Sequence, residues 1–328
     1  MRIAVIGAGG WGTALAKILS ENALEVVLWC REEHVRRSIV ERRENDRFLP
    51  GIALPASLRS TGSLEKAVLR AEVLLFAVPS PYVRSVASEL APWARGAVNV
   101  VSATKGLEET THLRMSEVIS QTLEGVSPVV LSGPTFAREV ALGEPTALVA
   151  ASAALEGAKK IQACFSTPSF RIYTNDDVLG VELGGALKNV IALAAGVATG
   201  LGLGHNPKAA LMTRGLAEIS RLVEAMGGRR ETLFGLAGMG DLVLTCTGHL
   251  SRNRQVGIEL GKGRSLEDVL GGMEQVAEGV RTTHAAVALA KEHGVEMPIV
   301  HQMERLLRGE TTASDVMREL MTRPLKSE

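Results

Sequence analysis

The sequence predicts an α/β domain built on a doubly wound, mostly parallel sheet, followed by an all-α domain, and three observations carry that prediction. A short apolar run, Ile3-Ala4-Val5-Ile6, enters the glycine cluster Gly7-Ala8-Gly9-Gly10-Trp11-Gly12 and leaves as the alanine-rich Thr13-Ala14-Leu15-Ala16. Apolar runs of strand length then alternate with helical segments as far as Tyr173, the pattern of a sheet covered on both faces. After Thr174 no strand pattern remains and helical periodicity takes over. At 328 residues the chain exceeds the usual size of one domain, so the division is placed between an α/β domain over 1–175 and a helical domain over 176–328.

The opening stretch reads as strand, tight turn and helix. Gly7, Gly9 and Gly12 fit G-x-G-x-x-G, in which the first glycine turns the chain, the second admits a pyrophosphate to the backbone and the third lets helix and strand pack closely. The second strand, Glu25–Trp29, follows at βαβ spacing, which makes the domain a Rossmann dinucleotide-binding domain rather than a fold with a chance glycine turn. Glu32–Arg43 is a solvent-facing helix, and Asn45–Ser60, with two prolines, is a loop. Further strands are expected at Val73–Val78, Ala97–Val101, Val129–Leu131, Ala147–Ala150 and Phe170–Tyr173, with helices at Tyr82–Leu90 and Leu155–Cys164. The helical domain is expected to hold helices at Val178–Val197, Lys208–Met226, Arg252–Leu260, Leu266–Leu270, Arg281–His293, Ile299–Leu307 and Ala313–Met321.

Composition narrows the function. Thirty-six basic residues balance 36 acidic ones, so there is no electrostatic case for nucleic acid or an anionic membrane as partner. Cys30, Cys164 and Cys246 are few, odd in number and widely spaced, which fits neither a disulfide framework nor a zinc site and suits a reduced, cytoplasmic protein. The seven histidines show no H-x-x-x-H spacing, and no metal is expected. The longest uncharged apolar run, Val190–Gly204, holds four glycines and falls short of the roughly 18 residues a membrane span needs; it reads as a buried helix, with no stable membrane insertion.

Charges are scarce on the apolar helices, which makes the exceptions informative. Lys188 lies in Leu183-Gly184-Gly185-Ala186-Leu187-Lys188-Asn189-Val190-Ile191-Ala192, too apolar for a surface stripe, although a helical lysine is ordinarily a solvated, snorkelling one. A desolvated lysine near other cations can exchange a proton near neutral pH. Asp241 and Ser251 read equally as helix N-caps or as ligand groups. Ser251-Arg252-Asn253 on a first helical turn offers charge, a planar donor fork and free N–H groups, a grip for phosphate. Lys105 lies just past a strand end, where ligands of such sheets sit. Trp11 is either a lid on the first helix or a wall of the cofactor cleft. Where an NAD-selective domain places Asp or Glu at the end of the second strand, this chain runs Leu28-Trp29-Cys30-Arg31. Arg31 is thus either a solvated residue at a helix start or the reader of a 2′-phosphate. The second reading makes NADPH/NADP the preferred cofactor, with NADH/NAD also accepted.

Six segments in order resemble the bacterial NAD(P)-dependent glycerol-3-phosphate dehydrogenase family: Gly-Ala-Gly-Gly-Trp-Gly-Thr-Ala-Leu-Ala from Gly7, Ala-Thr-Lys-Gly-Leu at 103–107, Ser-Gly-Pro-Thr-Phe-Ala at 132–137, Gly-Gly-Ala-Leu-Lys-Asn-Val-Ile-Ala at 184–192, Gly-Asp-Leu-Val-Leu-Thr-Cys at 240–246 and Ser-Arg-Asn-Arg at 251–254. The resemblance implies reduction of dihydroxyacetone phosphate to sn-glycerol 3-phosphate for phospholipid synthesis; the small-residue helices point to a homodimer. It makes Lys188 the catalytic acid/base. It assigns Lys105, Gly133, Thr135, Lys188, Asp241, Ser251, Arg252 and Asn253 to the substrate. It assigns Gly10, Trp11, Arg31, Lys105, Ala137, Arg252, Val276 and Glu278 to the dinucleotide, beside the turn glycines Gly7, Gly9 and Gly12. Gly10 departs from the serine often found there, which removes a hydroxyl contact to pyrophosphate. Two other readings use the same fold: a 6-phosphogluconate or 3-hydroxyacid type dehydrogenase, also lysine-dependent, and a non-catalytic dinucleotide sensor, which leaves Lys188 unexplained.

Overall fold

The computed structural model describes residues 1–22, 24–94, 99–272 and 277–325. The chain divides into two compact units, Met1–Glu108 with Leu113–Val178, and Glu109–His112 with Leu179–Glu328.

Eight strands of the first unit form one sheet: β1 (Arg2–Ile6), β2 (Glu25–Trp29), β3 (Arg59–Thr61), β4 (Val73–Phe76), β5 (Asn99–Ser102), β6 (Val129–Ser132), β7 (Thr146–Ala151) and β8 (Phe170–Asn175). Their order is β3-β2-β1-β4-β5-β6-β7-β8. All neighbours are parallel except β6 and β7, which run antiparallel. The order reverses between β1 and β4, the switch point at which doubly wound sheets bind ligands. Ile6 pairs with both Trp29 and Phe76, and Phe76 with Ser102, so the chain leaves four strands at one level.

The connecting helices are α1 (Gly10–Glu21), α2 (Glu33–Arg42), α3 (Leu64–Val68), α4 (Val83–Leu90), α5 (Met115–Thr122), α6 (Ala137–Ala141) and α7 (Leu155–Phe165). Successive strand residues point to opposite faces, and both faces are covered. Ile3, Val5, Val73 and Leu75 pack with Leu15, Leu19, Ile161 and Phe165. Ala4, Ile6, Leu74 and Phe76 pack with Leu64, Val83, Val86, Met115 and Ile119. Burial on both faces is why these strands read as unbroken apolar runs.

Three differences from the sequence reading have physical causes. Strand β3 is three polar residues on the sheet edge, without the apolar run that marks a strand, and it begins inside the segment read as loop. Pro79 precedes and Pro81 lies within a 3-10 turn, Ser80–Tyr82, before α4 starts. Helices α3 and α5 are short and were not anticipated. Ala97 and Val98, expected in a strand, lie outside the described residues.

The second unit comprises α8 (Val178–Gly200), α9 (His205–Ala225), α10 (Asp241–Thr247), α11 (Arg252–Gly261), α12 (Leu266–Gly271), α13 (Glu278–Glu292), α14 (Pro298–Leu307) and α15 (Ala313–Met321). Helix α8, long and apolar enough to cross a bilayer, has 89% of its most apolar 18-residue window buried inside the fold. Its glycines explain how. A Cβ at Gly196 or Gly200 would lie 2.2 Å from a carbonyl oxygen of α11, and Gly257 of α11 faces Gly196 in return.

Candidate active site

In the first unit the glycine turn is shaped by contacts that no side chain could share. Gly7 has φ +119°, and a Cβ there would sit 2.9 Å from the Ala77 carbonyl oxygen; at Gly12 it would sit 1.9 Å from the Gly7 oxygen. At Gly9, by contrast, the Cβ position has nothing within 4 Å, the open approach that a phosphate needs. Asn45, fully buried, donates to the Ala8 carbonyl and to Thr13 Oγ1, both at 2.8 Å, and accepts from Phe48 N–H. This pins the 45–48 loop so closely that a Cβ at Gly10 would meet the Phe48 oxygen at 2.8 Å. A serine there would require the loop to shift, which accounts physically for the departure at Gly10. Ala137, opening α6, lies beside Gly10. Trp11 Nε1 donates to the Ala103 carbonyl at the end of β5, 3.1 Å.

Two further groups stand at the same sheet edge. The exposed Arg31 guanidinium lies over the Tyr82 ring, 5.2 Å from its centroid, while the Arg36 hydrogen bond holds the neighbouring Glu33 carboxyl below its usual range. Lys105 Nζ donates to the Gly133 carbonyl at 2.8 Å and to Thr135 Oγ1 at 3.4 Å. Gly133, with φ +150°, presses on Leu148.

In the helical unit, α8 carries Lys188 and Asn189, 6% and 4% exposed. A helical side chain leans over the turn preceding it, and for Lys188 that turn contains Gly184. A Cβ at Gly184 would meet Leu233 Cδ2 at 2.9 Å and the Ala237 oxygen at 3.0 Å, so the π-helical turn Leu236–Gly240 lies directly against α8. That turn delivers Asp241, the first residue of α10. Lys188 Nζ donates to Asp241 Oδ1 at 2.5 Å and to Thr245 Oγ1 at 2.7 Å, and Thr245 Oγ1 donates to the Asp241 carbonyl at 2.6 Å. Asp241 is 1% exposed and is not an N-cap; that position belongs to Gly240. Desolvation costs several kcal/mol per buried ion, and each charge here is compensated by the other. The ion-pair partner of Lys188 is the Asp241 carboxylate.

Ser251 does cap α11, accepting from Arg254 N–H at 3.3 Å, and exposed Arg252 follows on the first turn. Asn253 is 8% exposed; its Oδ1 accepts from Gly279 N–H and its Nδ2 donates to Asn189 Oδ1, both at 2.9 Å. Glu278 is the first residue of α13, and Val276 lies outside the described residues. Burial pushes the Cys246 thiol up to about 12, so it is a packed group and not a nucleophile.

Comparison with known proteins identifies this combination. The family description "NAD-dependent glycerol-3-phosphate dehydrogenase N-terminus" matches residues 2–158 and its C-terminal counterpart residues 177–318. The chain is 56% identical over 332 residues to glycerol-3-phosphate dehydrogenase [NAD(P)+] of Koribacter versatilis, covering 100% of this chain and 98% of that relative. The chain belongs to the NAD(P)-dependent glycerol-3-phosphate dehydrogenase family. The corresponding protein of Geobacter sulfurreducens is 53% identical over 330 residues, covering 100% of this chain and 98% of that relative. The crystal structure of glycerol-3-phosphate dehydrogenase from Coxiella burnetii superposes with a TM-score of 0.94 at 39% identity, over 98% of this chain and 99% of that one. This dehydrogenase is an NAD(P)-linked oxidoreductase with a Rossmann N-terminal and a helical C-terminal domain.

Two residues of the cluster escaped the sequence reading. Thr245 stands four residues beyond Asp241, a spacing that puts both on one helical face, and that spacing could have revealed it. Asn189 carried no local signal, because its partner Asn253 is 64 positions away.

Proposed function

We propose that this dehydrogenase reduces dihydroxyacetone phosphate to sn-glycerol 3-phosphate with NADPH, and less efficiently with NADH. The observation that carries the reading is the buried Lys188, paired with Asp241 and Thr245, in a chain whose relatives bear that activity in their name. The bound dinucleotide supplies the hydride.

Addition of hydride to the ketone C2 leaves a developing negative charge on its oxygen. Lys188 Nζ stabilises that alkoxide as an ammonium and transfers a proton to it, and in the reverse direction the amine takes the proton back. General acid help of this kind contributes roughly 10²–10⁴ in rate. Asp241 and Thr245 accept hydrogen bonds from Lys188 Nζ and fix its direction. Arg252, with the N–H groups at the α11 N-terminus, suits the phosphate. The family resemblance also assigns Lys105, Gly133 and Thr135 to the substrate. Gly9, open above the turn, and the N-terminus of α1 suit a pyrophosphate; the family resemblance also assigns Gly7, Gly10, Trp11, Gly12, Ala137, Val276 and Glu278 to the dinucleotide. Arg31, beside Tyr82, suits the 2′-phosphate.

On the same reading the product feeds phospholipid synthesis in the cytoplasm and the chain works as a homodimer. The test follows NADPH oxidation spectrophotometrically with dihydroxyacetone phosphate and, in separate assays, NADP+ reduction with 6-phosphogluconate and with a 3-hydroxyacid. Turnover is expected with the first alone; a preference for either of the others would replace this reading.

A further inference from the structure

The corner between β2 and α2 gathers two guanidiniums that no carboxylate neutralises. Arg31 leaves β2 and lies over the Tyr82 ring. Arg47, exposed on the loop that closes over Gly10, lies over the Phe48 ring, 5.2 Å from its centroid, and its Nη1 stands 3.1 Å from His34 Nε2. A guanidinium only donates, so His34 Nε2 is the acceptor. His34 is the second residue of α2, and Arg31 precedes it by three positions, about 10 Å of chain at most. Through His34, Arg47 is therefore brought to the corner that Arg31 opens. Three carboxylates of this region are engaged elsewhere: Glu33 with Arg36, Asp46 with Arg42, and Glu44 Oε1 with the Gly51 N–H at 2.7 Å. Among the described residues neither Arg31 nor Arg47 is ion-paired, and each rests over an aromatic ring instead. The loop that carries Arg47 is tied down on both sides. Besides the Asn45 bonds to Ala8 and Thr13, Leu49 N–H donates to the Asn45 carbonyl at 2.9 Å and Arg138 Nη1 to the Pro50 carbonyl at 2.7 Å.

We propose that Arg47 is a second specificity-determining residue for the dinucleotide, gripping the 2′-phosphate of NADPH together with Arg31. This rests on the reading of Arg31 as the residue that faces a 2′-phosphate. A phosphate monoester carries nearly two negative charges and three oxygens that accept strongly, more than one guanidinium fork can neutralise or fill, and two forks complement it. An uncharged ribose 2′-hydroxyl draws on neither charge. Because Arg47 is already held by a ring and by His34, it has little side-chain freedom left to lose when a phosphate arrives.

The test measures dissociation constants rather than turnover: NADPH and NADH by fluorescence titration, adenosine 2′,5′-bisphosphate and 5′-AMP by calorimetry. The full chain is compared as parent, Arg47→Ala, Arg47→Gln, Arg31→Ala and the Arg31→Ala/Arg47→Ala pair. Arg47→Ala and Arg47→Gln should each weaken NADPH and the bisphosphate about tenfold to a hundredfold, the range for hydrogen bonds to charged groups, and NADH and 5′-AMP less than about threefold. The retained NADH binding also shows that the variants are folded. Because the two arginines hold one phosphate, the pair should lose no more than about threefold beyond Arg31→Ala, since groups that share a partner are non-additive. Equal losses for NADPH and NADH, unchanged binding of the bisphosphate, or losses that multiply in the pair would each overturn the proposal. Failure of the underlying reading looks different: the parent itself would bind NADH at least as tightly as NADPH, and Arg31→Ala would leave that ratio unchanged.

Discussion

The two units build their sites from different materials. Around the β1–α1 turn the chain uses backbone: a left-handed glycine, missing Cβ atoms at Gly7 and Gly12, and the open approach at Gly9. Around Lys188 it uses side chains, with Asp241, Thr245, Asn189 and Asn253 buried and hydrogen-bonded to partners far along the sequence. A site made of backbone binds what every dinucleotide has in common and, at Gly7 and Gly12, leaves no room for an added atom. A site made of buried side chains does chemistry, and its members fail when a partner is removed. Substitutions in the two units should therefore fail in different ways.

The largest effect is expected at Lys188. Lys188→Ala should lower kcat by about 10²–10⁴, the value of a lost general acid, in steady-state assays with dihydroxyacetone phosphate. Loss of less than about tenfold would remove the lysine from the chemistry. Next comes the backbone half. Gly12→Ala places a methyl 1.9 Å from the Gly7 oxygen, so the turn must shift; NADPH affinity should fall at least about tenfold, the order of 1.4 kcal/mol, with a lowered Tm. Titration of NADPH fluorescence checks it, and parent-like binding would mean that the turn is more pliant than its contacts indicate.

A third prediction tests whether buried polar groups of the helical unit hold its fold away from the site. Glu218, 3% exposed on α9, accepts from Ile299 N–H and Val300 N–H at the start of α14. Burial raises its carboxyl from 4.5 to about 7, against the pull of those two N–H groups. Between these values the folded chain holds a proton that the unfolded chain has lost, so this group's contribution to stability falls as pH rises from about 4.5 to 7 and is level above. Glu218→Gln does not titrate. Its stability relative to the parent should therefore improve by on the order of 3 kcal/mol between pH 5 and pH 8, read from denaturant midpoints. A pH-independent difference would place the Glu218 carboxyl in the ordinary range.

The effect at Arg31, whose guanidinium is exposed, is expected on cofactor choice alone. Arg31→Ala and Arg31→Asp should erase a preference for NADPH of about tenfold to a hundredfold, the range of hydrogen bonds to charged groups, with kcat little changed. An unchanged ratio of kcat/KM for NADPH and NADH would mean that Arg31 does not read the 2′-phosphate.

The same contrast explains what the sequence made legible. The glycine turn was readable because backbone constraints act within a few residues: Gly7, Gly9 and Gly12 announce the turn by spacing alone, and β1, β2 and β4 by unbroken apolar runs. The isolation of Lys188 in an apolar helix marked it as unusual, yet its partner could not be inferred, since Asp241 arrives 53 positions later through the π-helical turn that packs on Gly184. The closed loop over Gly10 was also hidden, because it depends on Asn45 reaching back to Ala8. Strand β3, polar and three residues long, carried too little pattern to be seen.

The division of labour between backbone and side chains is tested most directly by NADPH affinity in Lys188→Ala, measured by fluorescence titration of the same preparation used for kinetics. The account predicts a Kd within about threefold of the parent, a difference of under about 0.7 kcal/mol, despite the loss of kcat. A Kd weakened as much as kcat is lowered would contradict it, and would make Lys188 part of the dinucleotide site rather than the proton donor.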